Sequence, residues 1–375
     1  MKFIISGGGT GGHIYPAIAI AKELIALDDK CEILFVGTKE GLESDIVPKE
    51  GYKFTTIDVQ GFERSLSLSN VTTMFKAGTS IFSSIRIIKD FKPDVVIGTG
   101  GFVCGPVLLA ASLLNKKTII QEQNAIPGVS NKILAKFADK IALGYKEAEI
   151  YFSKYKSKII VTGNPIRKDV LEEDRTESLK SLGLLTNKKT LLISGGSRGA
   201  HSINNAMIDI YKILSKDNSL KNILQILHVT GKTEYNSVVD TLTNSSIRVA
   251  EIGNIIIQPY LYNMPQALAV ADLAIFRAGA IGLAELTAKG IPSILIPYPY
   301  ATANHQEINA QVLEKKGAAI VIKDSELNGE ELLAIIYSLM NNEDKLHDMA
   351  QKSKEAGFKD AAYTIAKLAI SLIKK

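Results

Sequence analysis

Residues 190–205 read TLLISGGSRGAHSINN, and this stretch decides the fold. Its apolar start, 190–194, is typical of a buried parallel strand. The strand ends at the glycine-rich turn 195–199, and the polar segment that follows predicts a helix. Such a turn exposes backbone N–H groups, and the dipole of the following helix favours an anion beside them. Ser197 adds a hydroxyl that can bond a phosphate oxygen.

Two further turns repeat this pattern. Residues 6–13 read SGGGTGGH, and residues 98–106 read GTGGFVCGP. One glycine-rich turn is weak evidence for a ligand, because a tight connection between a strand and a helix explains it equally well. Three such turns in one chain favour two nucleotide-binding halves.

The alternation of predicted strands and helices changes near residue 165, where a charged helical segment without a strand begins. We therefore predict an α/β protein of two domains, 1–165 and 166–356, each a doubly wound parallel sheet of the Rossmann kind. The strand ends of both domains are expected to face an interdomain cleft. A helix at about 357–375 is expected to pack back on the first domain.

Composition narrows the class of protein. The net charge of +5 comes without a Lys/Arg-rich block interleaved with aromatics, so nucleic acid is not an expected partner. An anionic membrane surface or anionic substrates remain compatible with it. The two cysteines, Cys31 and Cys104, lack metal-ligand spacing and fit a reducing cytosol. We expect neither a signal peptide nor a membrane-spanning helix.

Residues 7–12 also match G-x-G-x-x-G, the dinucleotide fingerprint. That fingerprint needs an acidic residue at the end of the second strand, but the predicted strand ends in Val36-Gly37-Thr38. Hydride transfer is therefore disfavoured. His13 follows the glycines directly, and a histidine titrates near neutral pH, so it is a candidate proton acceptor. The alternative is a structural or phosphate-binding histidine.

The segment 61–92 mixes large apolar side chains with lysines and arginines. One interpretation is an ordinary amphipathic helix over 71–91 that packs on the sheet. The other is that part of its apolar surface, ringed by basic residues, rests on anionic lipid. Both hold if the helix buries one face and presents another.

The chain carries, in order, GGGTGGHIYPA at 7–17, GTGGFVCGP at 98–106, EQNAIPG at 122–128, GNPIR at 163–167, SGGSRGA at 194–200, RAGAIGLAE at 277–285 and HQEINA at 305–310. This ordered set resembles the MurG glycosyltransferases of peptidoglycan synthesis over essentially the whole chain. The resemblance implies the GT-B fold and transfer of N-acetylglucosamine from UDP-GlcNAc to an undecaprenyl-diphosphate-linked muramyl-pentapeptide. It also implies inversion at the anomeric carbon, without a cofactor or an obligatory bound metal. The expected location is the cytoplasmic face of the bacterial membrane, with peripheral attachment.

The resemblance further implies roles for matched residues. His13 would take the proton of the acceptor hydroxyl, Glu285 would accept hydrogen bonds from the ribose, and the backbone of Leu261 would meet uracil. The other donor-binding candidates that the resemblance implies are Thr10, Gly11, Gly12, Asn124, Arg167, Ser197, Ala280, Ile281, Gly282, Leu283, Ala284 and Gln306. Gly100, Gly101 and Gly105 are candidates for the acceptor diphosphate. The chain departs from the family at Gln121, where a histidine is common. Glutamine can hydrogen-bond but cannot titrate, so the proton role is expected at His13 and not at this position.

Two alternatives remain open. One is another enzyme of the same fold, such as a UDP-sugar epimerase or a glycolipid glycosyltransferase. The other is a non-catalytic UDP-sugar sensor, against which the presence of His13, Ser197 and Glu285 argues.

Overall fold

The computed structural model describes residues 1–59, 69–196, 199–216 and 223–373, and side chains in 69–77 are not among those described. Two compact units result, one of Met1–Arg167 with Asp360–Lys375 and one of Lys168–Lys359. Each unit is built on a parallel sheet with helices on it, which confirms the predicted fold class. Two sequence predictions fall outside the described side chains, namely Ser197 and the amphipathic segment before residue 78.

The first unit holds a sheet that counts seven strands over the described residues, in the order β3-β2-β1-β4-β5-β6-β7. The elements up to residue 167 are β1 (Lys2–Ser6), α1 (Gly11–Leu27), β2 (Glu32–Gly37), α2 (Glu43–Lys49), β3 (Lys53–Thr56), α3 (Ser69–Phe91), β4 (Val95–Gly98), α4 (Cys104–Leu113), β5 (Lys117–Glu122), α5 (Val129–Leu134), β6 (Lys140–Leu143), a 3-10 segment (Lys146–Lys158) and β7 (Ile159–Val161). The strand order reverses between β1 and β4. Open α/β sheets bind ligands at such a switch point, and two glycine turns follow these two strands.

The second unit is a sheet of six strands among the described residues, in the order β10-β9-β8-β11-β12-β13. Its elements are α6 (Lys168–Glu172), α7 (Arg175–Ser181), β8 (Lys189–Ser194), α8 (His201–Leu214), β9 (Leu224–Val229), α9 (Tyr235–Asn244), α10 (Val249–Ile252), β10 (Ile255–Gln258), α11 (Met264–Val270), β11 (Leu273–Phe276), α12 (Ala280–Lys289), β12 (Ser293–Leu295), a 3-10 turn (Thr302–Asn304), α13 (His305–Lys315), β13 (Ala319–Val321), α14 (Gly329–Met340) and α15 (Glu343–Ala356). Here the order reverses between β8 and β11. The third glycine turn follows β8, and the start of α12 follows β11.

Helices cover both faces of the first sheet. The helices α3, α4 and α5 share one apolar core with the sheet, to which they contribute buried side chains such as Ile88, Val107 and Leu134. On the other face lie α1, α2 and the last helix of the chain, α16 (Ala361–Ile373). The α16 side chains Ile365 and Ala369 are fully buried there.

Two helices begin earlier than the sequence predicts. Proline is common in the first turn of a helix, so Pro16 and Pro106 predict helix starts at those positions. In the structure α1 begins at Gly11 and α4 begins at Cys104. Pro16 lies inside α1, shortly after its first turn, and has no N–H to donate to the Gly12 carbonyl. His13 consequently lies within the helix and not in the loop before it.

Several elements, among them α2 and β3, were not predicted. The strand β3 is a short edge strand that carries little apolar pattern. No helix in the described part of the chain is long and apolar enough to cross a membrane.

Candidate active site

The first and second glycine turns lie side by side at the switch point of the first sheet. The Gly8 N–H donates to the Gly100 carbonyl at 3.4 Å. A β-carbon at Gly101 would lie only 2.5 Å from the Gly8 carbonyl oxygen, so the two backbones pack directly on each other. The Thr99 hydroxyl donates to the His13 carbonyl at 2.8 Å and thereby fixes α1 to the second turn. The structure therefore brings His13 together with the predicted site residues Gly100 and Gly101.

The hydrogen bonds of His13 define which ring nitrogen is basic. Its Nδ1 lies 2.9 Å from the Gly8 carbonyl oxygen. A carbonyl only accepts, so Nδ1 carries the proton and the neutral ring keeps its lone pair on Nε2. Burial lowers the pKa of His13 below its ordinary value of 6.5, against the opposing effects of the Gly8 carbonyl and the carboxylates of Glu122 and Glu43. At neutral pH the side chain is therefore uncharged, with a basic Nε2.

The start of α1 holds three of the predicted donor-side residues, and a fourth, Arg167, lies near it. Thr10 is the N-cap residue, Gly11 and Gly12 open the helix, and Thr10 and Gly12 are exposed. The guanidinium carbon of Arg167 lies 5.4 Å from the ring centre of Tyr15, a distance at which a cation is attracted to the ring. The Tyr15 ring would lie 3.1 Å from a β-carbon at Gly11. Arg167 is thus positioned, through Tyr15, beside the start of α1.

Glu122 organises the loop that carries Asn124. Its carboxylate accepts from the Asn124 N–H at 2.9 Å, from the Gly128 N–H at 3.0 Å and from Asn131 Nδ2 at 2.8 Å. The side chain of Asn124 also donates to Glu122, at 3.3 Å. Glu122 therefore stabilises the conformation of the loop 123–128. Asn124 is half-buried at the carboxyl end of β5, where open α/β sheets bind ligands.

Gln121 is fully buried and belongs to an amide network. Its Nε2 donates to Asn164 Oδ1 at 2.9 Å, and its Oε1 accepts from Gln123. Gln123 also donates to the Thr99 carbonyl of the second glycine turn. The glutamine that departs from the family pattern thus connects the end of β5 to two neighbouring turns, a task that requires no titration.

Gly105 differs in its place from the other two acceptor candidates. It is the second residue of α4, and its N–H donates to the Phe102 carbonyl at 3.3 Å. Gly100 and Gly101 precede that helix and both have positive φ, +106° and +85°. Cys104 holds this turn, because its Sγ accepts from the Gly100 N–H at 3.2 Å and donates to the Ser6 carbonyl at 2.9 Å.

The third glycine turn is supported by a buried polar chain in the second unit. A β-carbon at Gly199 would lie 2.2 Å from the Thr230 carbonyl oxygen, so the turn packs closely on the end of β9. That same carbonyl accepts from Asn204 Nδ2 at 3.0 Å. Asn204 Oδ1 accepts from His228 Nε2 at 3.0 Å, and Tyr211 donates to His228 Nδ1 at 3.1 Å. All the polar atoms of this chain find partners in the protein core.

The start of α12, where donor-binding residues are predicted, is a helix N-terminus without a side-chain cap. Gly279 is the N-cap residue and has no side chain with which to cap the helix, which runs through Ala280, Ile281, Gly282, Leu283 and Ala284. Glu285 follows on the same helix and is buried. Gln306, at the start of α13, accepts the Tyr298 N–H at 2.9 Å through its Oε1. Leu261 follows β10 and lies between Tyr260 and Tyr262, whose ring centres are 4.9 Å apart.

Arg277 is a residue that sequence reasoning did not select, although it opens the RAGAIGLAE motif. It follows β11, and its Nη1 donates to the carbonyls of Ile296 and Pro297 at 3.1 and 3.2 Å. Its Nη2 donates to the Ser202 hydroxyl at 3.0 Å, and the guanidinium pairs with Asp324. Arg277 therefore joins α8 to the ends of β12 and β13. The sequence feature that could have pointed to Arg277 is its place as the charged residue that opens a glycine-containing motif after a predicted strand.

Within the described residues, no group of three or more His, Cys, Asp or Glu side chains is placed to hold a metal ion.

Parallel sheets with glycine turns and helix N-termini at their switch points are typical of the class of α/β enzymes that bind nucleotides. The chain matches the glycosyltransferase family 28 N-terminal domain over residues 3–143 and the family 28 C-terminal domain over residues 190–365.

Individual relatives narrow the class. Similar proteins named UDP-N-acetylglucosamine--N-acetylmuramyl-(pentapeptide) pyrophosphoryl-undecaprenol N-acetylglucosamine transferase occur in Halothermothrix orenii and Desulforamulus reducens. The first is 51% identical over 369 residues, which cover 98% of each chain, and the second is 48% identical over 367 residues, which cover 98% of this chain and 97% of the relative. The crystal structure of MurG from Acinetobacter baumannii superimposes with a TM-score of 0.77 at 26% identity, over 99% of both chains. The chain belongs to the MurG family.

Proposed function

We infer that the chain transfers N-acetylglucosamine from UDP-GlcNAc to the lipid-linked N-acetylmuramoyl-pentapeptide, the step from lipid I to lipid II in peptidoglycan synthesis. The chain is a hexosyltransferase, and its reaction contributes to cell-wall growth, cell shape and division. The relatives of about half-identical sequence, which match over nearly their whole length, support this function.

The tautomer of His13 is the observation that carries the proposed mechanism. With Nδ1–H donated to the Gly8 carbonyl, Nε2 is the atom that takes the proton of the acceptor hydroxyl. The hydroxyl oxygen forms the bond to the anomeric carbon, and the bond from that carbon to the diphosphate breaks. UDP leaves with the electron pair, and the configuration inverts. The lowered pKa of His13 supports this role, because the ring is neutral before the reaction.

The donor is proposed to bind mainly to the second unit. The glycine turn after β8, with Ser197, and the N-terminus of α12 would meet the diphosphate with N–H groups and a favourable helix dipole. Glu285 would accept the ribose hydroxyls, and the backbone of Leu261 would recognise uracil. The Gln306 amide NH2 would donate to the sugar, since the Oε1 of that amide already accepts from the protein.

The first unit supplies the remaining proposed contacts. Thr10, Gly11 and Gly12 would approach the donor sugar, and Asn124 would hold its hydroxyls or acetamido group. Arg167 would pair with a phosphate through its fork of N–H donors. Gly100 and Gly101 present the backbone that would hold the acceptor diphosphate, with Gly105 in the helix behind them.

We propose that the reaction needs no bound metal and no cofactor. Backbone N–H groups and helix N-termini stabilise the leaving diphosphate in this scheme, which is the task that a divalent cation performs in other transferases. Transfer is therefore expected to continue in EDTA.

Membrane attachment is proposed to be peripheral, at the cytoplasmic face. The acceptor is anchored in lipid, so the enzyme must reach the membrane surface. The face covered by α3, α4 and α5 supports this, because the large apolar side chains of Phe82, Val129 and Ile133 are 74%, 74% and 61% exposed there. Lys132, on α5, and Lys136, two residues after its end, are also exposed. Apolar side chains among lysines are typical of a surface that binds anionic lipid.

A transfer assay tests the function. Radiolabelled N-acetylglucosamine from its UDP donor is offered with a short-chain lipid-linked muramyl-pentapeptide in EDTA, to the wild type, His13→Ala and a control, His347→Ala, whose side chain is exposed in the second unit. We expect transfer by the wild type and the control, and a loss of about 100-fold or more in His13→Ala with UDP binding retained. A wild type that binds UDP-GlcNAc without transfer would instead favour an epimerase or a sensor.

A further inference from the structure

Glu43 is a fully buried carboxylate beside the first glycine turn. It is the first residue of α2, and Oε2 accepts the Gly9 N–H at 2.9 Å. Its Oε1 accepts both the N–H and the hydroxyl of Thr38, at 2.9 and 2.7 Å. The carboxylate therefore ties the turn after β1 to the end of β2, at the position where a dinucleotide-binding fold would hold a ribose.

The surrounding backbone is shaped around this side chain. A β-carbon at Gly8 would lie 2.3 Å from Glu43 Oε1, and one at Gly41 would lie 2.2 Å from both oxygens. Two glycines thus leave the space that the carboxylate occupies. Burial by itself raises the pKa of Glu43, but the hydrogen bonds from Gly9 and Thr38 outweigh it and hold the pKa below its ordinary value. The group is charged at neutral pH.

Glu43 connects to His13 through one peptide unit. The N–H of Gly9 and the carbonyl of Gly8 belong to the same planar peptide, so a hydrogen bond at one end orients the other. Glu43 accepts at the N–H end, and His13 Nδ1 donates at the carbonyl end, at 2.9 Å. In many active sites a carboxylate orients a histidine by a direct hydrogen bond. Here a backbone amide lies between the carboxylate of Glu43 and the ring of His13.

We propose that Glu43 is a positioning residue that, through the peptide between Gly8 and Gly9, holds His13 as the Nδ1–H tautomer with Nε2 as its base. The inference rests on the proposed role of His13 in the reaction.

The charge of Glu43 acts on His13 as well. The charged groups that affect this imidazole are Glu43, from α2, and Glu122, from the end of β5, and both raise its pKa against the lowering effect of burial. Neutralising Glu43 therefore lowers the pKa of His13 further. A purely structural contact would not move this titration in a variant that stays folded.

The test uses the full chain with 15N-labelled histidine. The sequence contains five histidines, so His13→Gln assigns the His13 signals. The variants are Glu43→Gln, Glu43→Asp and, as a matched control, Asp45→Asn, which removes an exposed carboxylate on the same helix. In Glu43→Gln the new NH2 must face either Gly9 N–H or Thr38, so one of the hydrogen bonds is lost.

We expect three results. The wild type and Asp45→Asn show the Nδ1–H tautomer of His13, whereas Glu43→Gln shows a mixture and a lower His13 pKa. Its kcat falls by about 10-fold or more, with the KM for UDP-GlcNAc within about 3-fold of the wild type. Glu43→Asp keeps the charge but withdraws it by one methylene, so its kcat falls while the acidic limb of its pH profile stays in place.

An unchanged tautomer and an unchanged His13 titration in folded Glu43→Gln would overturn the inference. If that variant does not fold, the tautomer and kcat of Glu43→Asp decide, and wild-type values of both would overturn it. Failure of the proposed function would look different. In that case His13→Ala would retain transfer, whatever the spectra of the Glu43 variants show.

Discussion

The imidazole of His13 occupies the space beside Gly100, where any larger residue would carry a side chain. A β-carbon at Gly100 would lie 2.6 Å from His13 Cδ2 and 2.9 Å from Nε2. The backbone of the second glycine turn can therefore approach the imidazole closely only because residue 100 is glycine. The contact is on the edge of the ring that carries the basic nitrogen, Nε2.

Gly100→Ala should displace the His13 ring. We expect kcat to fall by about 100-fold, because small displacements of a catalytic group cost that much, while UDP binding persists. Gly51→Ala controls for backbone strain alone, because Gly51 also has positive φ but no atom lies within 4 Å of the place where its β-carbon would be. Steady-state kinetics of both variants check this. Equal losses in the two would mean that strain, and not the contact with His13, is responsible.

The pH dependence of kcat/KM should report the buried His13. Its pKa is lowered from 6.5, so Nε2 is free of a proton throughout the neutral range and becomes protonated only at lower pH. Activity should therefore be lost as the pH falls through a value below 6.5, and not before. An acidic limb centred above 6.5, or one that persists in His13→Ala, would assign the base to another group.

His228 should make the folded state sensitive to acid. Burial lowers its pKa to about 3 from 6.5. Between these values the unfolded chain binds a proton that the folded chain does not, so the free energy of unfolding decreases as the pH falls. Urea unfolding at several pH values should show a weaker decrease in His228→Gln than in the wild type. The exposed His347→Gln serves as the control, and equal slopes in all three proteins would contradict the prediction.

Phe82→Ser should weaken binding to anionic liposomes. The side chain is 74% exposed on α3, and burial of a phenylalanine in an apolar environment contributes about 1.5–3 kcal/mol, which corresponds to roughly a 10-fold or larger change in affinity. Flotation at two salt concentrations measures it, with Phe358→Ser, an exposed phenylalanine of the second unit, as the control. Unchanged, salt-sensitive flotation of Phe82→Ser would place the lipid contact elsewhere.

Local patterns explain why much of the fold could be predicted. A strand that ends in glycines and leads into a helix is visible over about ten residues, and all three turns follow a strand of a parallel sheet as expected. His13 could be selected because it is adjacent in sequence to such a turn. Boundaries failed where a proline was taken to start a helix, because Pro16 lies one turn inside α1.

Contacts distant in sequence were not predictable in this way. The end of β2 carries no carboxylate in the sequence, yet Glu43 returns its carboxylate to Thr38 from the start of α2. Arg277 and Asp324 are 47 positions apart and meet only because β11 and β13 end at the same edge of the sheet. Both pairs depend on the tertiary path of the chain, which cannot be predicted from apolar periodicity or motif spacing.

The last helix sets the order in which the protein can complete its folding during synthesis. Ile365 and Ala369 of α16 fill the core of the first unit, between side chains such as Ile18 of α1. The ribosome synthesises these residues only after the entire second unit. Until then the first unit lacks α16, and one apolar face of its sheet and α1 stays uncovered. A nascent chain that pauses within residues 168–359 is therefore the form most exposed to aggregation and to chaperones.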